Sequence, residues 1–109
     1  MTFNATTQID NAVATITLEG ELDAAAAQAF RDQVEIAAKA NPKHIVLMAS
    51  GLDYMASAGL RVLVFAKQKL GVDVDIYLVA PQEFILETLQ KTGFDQSVII
   101  VDSYDPALA

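Results

Sequence analysis

Ser57 is the residue of this sequence with the clearest chemical potential, because it presents a hydroxyl between two small residues, Ala56 and Ala58. The segment 57–70 that follows has helical apolar spacing, so the hydroxyl is expected at a helix N-terminus. It can cap that helix by accepting a hydrogen bond from the N–H of Gly59 or Leu60. It can also carry a phosphate, since unpaired N–H groups and the helix dipole favour an anion there. The sequence predicts a cap, a phosphorylation site, or both.

Catalysis and metal binding are disfavoured by the residues that could support them. A nucleophilic serine needs an adjacent base, and His44 is the single histidine. The sequence has no cysteine, so thiolate metal sites and disulfides are excluded. No glycine-rich phosphate loop is present, which leaves nucleotide or small-ligand binding near Ser57 as a minor alternative. We therefore predict a protein that is not an enzyme and has no metal or cofactor.

Composition predicts one domain over residues 1–109, with 53% hydrophobic and 19% charged residues. The 14 acidic and 7 basic residues give a net charge of -7, which disfavours nucleic acids and anionic membranes as partners. A basic protein or a neutral surface suits this charge better. No signal peptide pattern is evident, nor an apolar run near the roughly 20 residues that span a bilayer. Cytoplasmic residence is the expectation.

Apolar periodicity predicts an α/β fold in the order β-β-α-β-α-β-α-β, with packed helices on a mixed sheet of about five strands. Asp10 and Asn11 indicate a tight turn within an opening hairpin, and Asp23 is a natural N-cap for the first helix. The predicted strands are 3–9, 12–18, 44–48, 74–79 and 98–101, and the predicted helices are 23–38, 57–70 and one opened by Pro81. Residues 102–109 are expected to form a frayed tail.

Two local signatures then coincide, and together they resemble the STAS domain family of sulphate transporters and anti-sigma factor antagonists. One runs from Leu18 to Asp23 (Leu-Glu-Gly-Glu-Leu-Asp), and the other from Met55 to Leu60 (Met-Ala-Ser-Ala-Gly-Leu). The segments 44–47 (His-Ile-Val-Leu) and 92–94 (Thr-Gly-Phe) also match, so the resemblance covers nearly the whole chain. Without a membrane segment, the chain looks like the stand-alone antagonist type.

The resemblance implies a switch protein that binds a kinase-type anti-sigma factor of histidine-kinase-like ATPase fold and releases a sigma factor. In the family pattern Asp-Ser-Ser/Thr-Gly-Leu, the first serine is phosphorylated by the partner and reset by a serine phosphatase. That position is Ser57 here, while Ala56 replaces the aspartate and Ala58 the second hydroxyl residue. These departures favour an alternative, a non-phosphorylated STAS adaptor of a transporter ATPase or another signalling complex.

The expected partner-binding surface surrounds Ser57. Asp23 is interpreted as an N-cap and, from the resemblance, as a residue of the rim near Ser57. On a helical wheel, Phe65 falls among polar residues including Arg61, so Phe65 is either covered core or an exposed aromatic anchor. Phe84 raises the same question in the next helix. The predicted contact residues are Asp23, Met55, Ala56, Ser57, Ala58, Gly59, Arg61 and Phe65.

Overall fold

The computed structural model describes residues 2–104, which form one five-stranded sheet with three α-helices. The strands are β1 (Phe3–Asp10), β2 (Val13–Leu22), β3 (His44–Met55), β4 (Asp75–Val79) and β5 (Ile99–Val101). The helices are α1 (Ala27–Lys39), α2 (Ser57–Leu70) and α3 (Glu83–Thr92), with a short 3-10 helix at Phe94–Ser97. The α/β class and the element order predicted from the sequence are confirmed.

The sheet runs in chain order, β1-β2-β3-β4-β5. Asp10 pairs with Val13 across a two-residue turn, so β1 and β2 form the predicted antiparallel hairpin. β2, β3, β4 and β5 are parallel neighbours, and β3, β4 and β5 are each reached through a helical connection. Because such crossovers are right-handed and here all step in the same direction, the three helices lie on one face of the sheet.

The main core lies between this face and the helices. Alternate strand residues such as Ile16, Leu47 and Leu78 meet Phe30 of α1 and Leu63 of α2, and all five are at most 1% exposed. Each helix turns a stripe of apolar residues towards the sheet. The buried residues are Phe30, Val34 and Ala37 in α1, Val62, Leu63 and Ala66 in α2, and Ile85 and Leu89 in α3.

Within residues 2–104 the other face of the sheet carries no helix, and this helix-free face has a smaller cluster of its own. Val13, Val46 and Val79 are buried there, and Tyr77 and Tyr104 pack against them. The rings of Tyr77 and Tyr104 lie 4.9 Å apart. Residues 102–104, the described part of the predicted frayed tail, form no helix or strand, yet Tyr104 contacts the sheet. Residues 105–109 of that predicted tail lie outside the described residues.

β3 is much longer than predicted, because residues 49–55 continue the strand that the sequence placed at 44–48. This extension pairs only with β2, which also continues to Leu22. The pairing register shifts at Gly20, whose φ of 88° and contact with Thr2 leave no room for a side chain. The extended β2–β3 pair projects past the end of β4 and leads directly into the region of Ser57.

Candidate functional site

The ends of β2 and β3 bring Asp23 and Ser57 to the same end of the molecule. Leu22 pairs with Met55, and the N–H of Ala56 donates to the carbonyl oxygen of Leu22 at 2.8 Å. Asp23 and Ser57 each follow one of these two tied residues in sequence. The sequence alone could not show this proximity, since it depends on strand pairing between segments more than 30 residues apart.

Ser57 is the first residue of α2, and the predicted role of its side chain as the N-cap is wrong. Ala56 is the N-cap residue, with extended φ and ψ of -78° and 167°. Its carbonyl oxygen accepts the N–H groups of Gly59 at 3.0 Å and Leu60 at 3.2 Å. The helix starts one residue earlier than a serine cap requires, because Ala56 is held to β2. Ser57 is exposed to solvent, so its hydroxyl is available for modification or contact.

Asp23 caps a turn that precedes α1, and its prediction as the N-cap of that helix is also wrong. Its Oδ1 accepts the N–H of Ala26 at 2.8 Å, and its carbonyl oxygen accepts the N–H groups of Ala26 and Ala27. The helix proper begins at Ala27, with Ala26 as its N-cap residue. The side chain therefore fixes the connection between β2 and α1, and it remains only partly buried beside the start of α2.

Gly59 and Met55 are the buried residues on which the start of α2 packs. Met55 is 8% exposed and belongs to the main core. A Cβ on Gly59 would lie 2.7 Å from Cγ of Leu22 and 3.1 Å from Cγ of Met55, so α2 approaches the strand ends as closely as a glycine permits. Both residues are buried, whereas their neighbours Ala56, Ser57 and Ala58 are half-buried or exposed.

Phe65 is half-buried, packs against the main core and lies beneath a guanidinium group. Cζ of Arg31 in α1 is 4.0 Å from the centre of the Phe65 ring, a cation–π geometry. This arrangement agrees with the covered-core interpretation of Phe65. Phe84 in α3, by contrast, is 44% exposed. Sequence reasoning missed Arg31, because no local signal indicates which residue of α1 crosses α2.

A shallow groove of about 210 Å³ lies between α1 and α2, beginning one residue from Ser57. Its lining residues are Ala27, Gln28, Arg31, Ala58, Arg61 and Val62. Pockets that enclose small ligands usually measure roughly 300 to 1,000 Å³. The surface around Ser57 is thus better suited to contact with another protein than to enclosing a small ligand.

The described part of the chain offers no alternative metal centre at this site. Among residues 2–104, no group of three or more His, Cys, Asp or Glu side chains is placed to hold a metal ion. Nor does any helix within these residues have the length and apolar character needed to cross a bilayer. The exposed features of the site are therefore a hydroxyl, small side chains and the two arginines of the groove.

Comparison with known proteins agrees with the fold. A family model described as the STAS domain matches residues 4–107. Anti-sigma-F factor antagonist RsfB of Mycobacterium tuberculosis is 26% identical over 98 residues, which cover 90% of this chain and 80% of the relative.

Two solved structures share the fold over almost the full length. An anti-sigma factor antagonist from Mycobacterium paratuberculosis superposes with a TM-score of 0.86 at 22% identity, covering 98% of this chain and 92% of that one. The Bacillus cell fate determinant SpoIIAA, solved in its phosphorylated form, superposes with a TM-score of 0.71 at 19% identity, covering 98% and 96%.

Proposed function

Because the chain belongs to the STAS domain family, we propose that it is an anti-sigma factor antagonist controlled by phosphorylation of Ser57. In the unphosphorylated state it binds a kinase-type anti-sigma factor in the cytoplasm and releases a sigma factor. The partner, with a histidine-kinase-like ATPase fold, supplies ATP and phosphorylates Ser57, and a serine phosphatase resets the switch. The chain itself performs no catalysis and needs no cofactor.

The observation that carries the proposal is the exposed position of Ser57 on the first turn of α2, at a surface with no enclosed ligand pocket. Asp23, Ala56, Ala58 and Arg61 surround it as accessible contact residues, with Phe65 half-buried along the helix. The names of two relatives support this choice of function, since the proteins from Mycobacterium tuberculosis and Mycobacterium paratuberculosis are both called anti-sigma factor antagonists. The phosphorylated form of SpoIIAA supports a phosphate switch on this fold.

Phosphorylation of Ser57 can change binding without changing the fold. A phosphate adds about -1.5 to -2 charge units and a strongly held hydration shell to the contact surface. Docking would have to remove that hydration, which opposes binding. Because the Ser57 side chain is exposed and is not the helix cap, the phosphate displaces no buried contact.

Ser57→Asp tests the switch with purified protein and its cognate anti-sigma factor. We expect the dissociation constant to rise at least about tenfold, because roughly 1.4 kcal/mol of lost contact and added desolvation produces that change. Ser103→Asp is the matched control, since Ser103 is also exposed but lies beyond β5. Isothermal titration calorimetry measures binding, and thermal unfolding should show nearly equal melting temperatures. A Ser57→Asp variant that binds the anti-sigma factor as tightly as wild type does would contradict the proposed switch.

The second candidate is a STAS adaptor that is not phosphorylated, and it is favoured by Ala56 and Ala58 in place of the acidic and hydroxyl residues of the family pattern. Peptide mass spectrometry on protein from quiescent and stressed native cells separates the two. A phosphate on Ser57 whose occupancy changes with condition supports the antagonist. Its absence in all conditions, with a transporter ATPase recovered by co-purification, supports the adaptor.

A further inference from the structure

The groove beside Ser57 is positively charged, although the chain as a whole is acidic with a net charge of -7. Arg31 and Arg61 contribute two guanidinium groups to it, and no carboxylate is among its lining residues. α2 itself contains Arg61, Lys67 and Lys69 and no acidic residue. The charge of this local surface is therefore opposite in sign to the net charge of the chain. The surface suits a negatively charged group rather than a basic partner.

Arg61 is the arginine placed to meet a group on Ser57. It lies four residues further along α2, and side chains at this spacing are neighbours, with Cβ atoms about 5–6 Å apart. Arg61 is exposed, and within residues 2–104 it takes part in no ion pair. The planar fork of a guanidinium matches phosphate oxygens for charge-assisted hydrogen bonds, so Arg61 is chemically suited to a phosphate on Ser57.

Arg31 is a weaker candidate for this contact because its guanidinium is already engaged. Nε of Arg31 lies 3.6 Å from Oε1 of Glu35, and Cζ lies over the ring of Phe65 at 4.0 Å. These contacts hold Arg31 at the far wall of the groove. Arg31 can therefore raise the electrostatic potential of the groove while it keeps its contacts with Glu35 and Phe65.

Three carboxylates near the strand ends act in the opposite sense: Glu21, Asp23 and Asp53. Asp23 follows Leu22, whose carbonyl oxygen accepts the N–H of Ala56, so the paired strand ends bring Asp23 to the same end of the molecule as Ser57. Its Oδ1 is held by the N–H of Ala26. Asp53 in β3 accepts a hydrogen bond from Nε2 of Gln82, the residue before α3.

Lys67 and Lys69 lie about three turns of α2 away from Ser57, which is beyond a Debye length of about 8–10 Å.

We propose that Arg61 binds the phosphate of phosphorylated Ser57 within the same chain, with Arg31 as a second positive charge across the groove. This inference rests on the proposed phosphorylation and specifies how it acts. The unphosphorylated groove offers an acidic surface of the partner the unpaired charge of Arg61, beside Arg31, which is paired with Glu35. The phosphate neutralises the charge of Arg61, so phosphorylation removes an attractive contact in addition to adding a hydrated group.

The test uses full-length protein with phosphoserine incorporated at position 57 during translation, so it does not depend on a kinase. Titration followed by ³¹P NMR measures the second ionisation of the phosphate, whose pKa is normally about 6. Arg61 favours the dianion and lowers that pKa, whereas Asp23 raises it. Arg61→Gln should therefore raise the proton affinity of the phosphate by roughly threefold at low salt.

Lys69→Gln is the matched control, since it removes one positive charge from the same helix at a distance of three turns. We expect it to leave the titration unchanged, and Arg31→Gln to have a smaller effect than Arg61→Gln. An Arg61→Gln effect no larger than that of Lys69→Gln would overturn the inference, as would a larger effect of Arg31→Gln. Either result leaves the proposed function standing. If Ser57 carries no phosphate in cells, the proposed function is overturned. The titration of the protein with phosphoserine at position 57 can still be measured in that case.

Discussion

At the scale of single residues, the site depends on small side chains as much as on the hydroxyl. Ala56 provides the N-cap backbone of α2, and Ser57 is thereby left exposed rather than engaged in a cap. Gly59 lets the first turn of the helix settle against Leu22 and Met55. The position of Ser57 is consequently set by backbone and packing interactions, so its side chain can be modified without loss of structure.

Gly59→Ala should destabilise the protein by about 1–3 kcal/mol, because the added methyl would meet Leu22 Cγ at 2.7 Å and force the buried packing apart. Alanine improves intrinsic helix propensity by about 1 kcal/mol, so a loss of stability identifies the close approach as the dominant effect. Urea denaturation followed by circular dichroism measures the change. Ala58→Ser at the half-buried neighbouring position is the control, and a Gly59→Ala protein as stable as wild type would contradict the packing described here.

At the scale of elements, α2 is fixed at one end by the strand extension and along its side by α1. The Arg31–Phe65 contact joins the two helices next to the groove, so Phe65 acts as part of the helix interface. The interpretation of Phe65 as an exposed partner anchor would require it to be free of such contacts. Phe84, 44% exposed on α3, has the greater exposure of the two phenylalanines raised by the sequence.

Phe65→Ala should lower the free energy of unfolding by about 2 kcal/mol, through lost packing and the lost cation–π contact. Phe84→Ala should cost less than about 1 kcal/mol, because Phe84 is 44% exposed and belongs to neither apolar cluster. The pair makes the same chemical change at a half-buried and at an exposed helix position, and chemical denaturation compares the two directly. Equal losses in the two variants would argue against a structural role specific to Phe65.

At the scale of the whole molecule, the two faces of the sheet differ. The three helices cover one face, while Val13, Val46 and Val79 form a cluster on the other. Tyr104 packs on that cluster and contacts Tyr77, so residues after β5 contribute to the fold. The helix-free face is therefore partly apolar and partly covered within the described chain.

Tyr104→Ala should destabilise the protein by about 1–2 kcal/mol, because it removes a ring from the only cluster that covers the helix-free face within residues 2–104. Tyr54→Ala is the matched control, since Tyr54 is 46% exposed at the end of β3. Thermal unfolding of both variants gives the comparison. A Tyr104→Ala protein with the melting temperature of wild type would show that this contact adds nothing to stability.

Much of the fold was predictable because its signals are local. The turn at Asp10 and Asn11, the helix at 57–70 and most of the first helix were predicted correctly from neighbouring residues. The N-caps were less predictable, because Asp23 and Ser57 are good capping residues whose local preference yielded to strand pairing. The continuation of β3 to Met55 was missed for the same reason, since its polar and small residues become a strand only beside β2.

The α/β class, the order of the elements and the family motif at Ser57 could all be predicted from the sequence, because periodicity, turn residues and motifs are properties of short segments. The residues that surround Ser57 could be identified only from the folded chain. Asp23 reaches the site through pairing of β2 with β3, and Arg31 reaches it through packing of α1 against α2. These contacts join distant segments, so their physical basis is strand order and helix packing rather than any local preference.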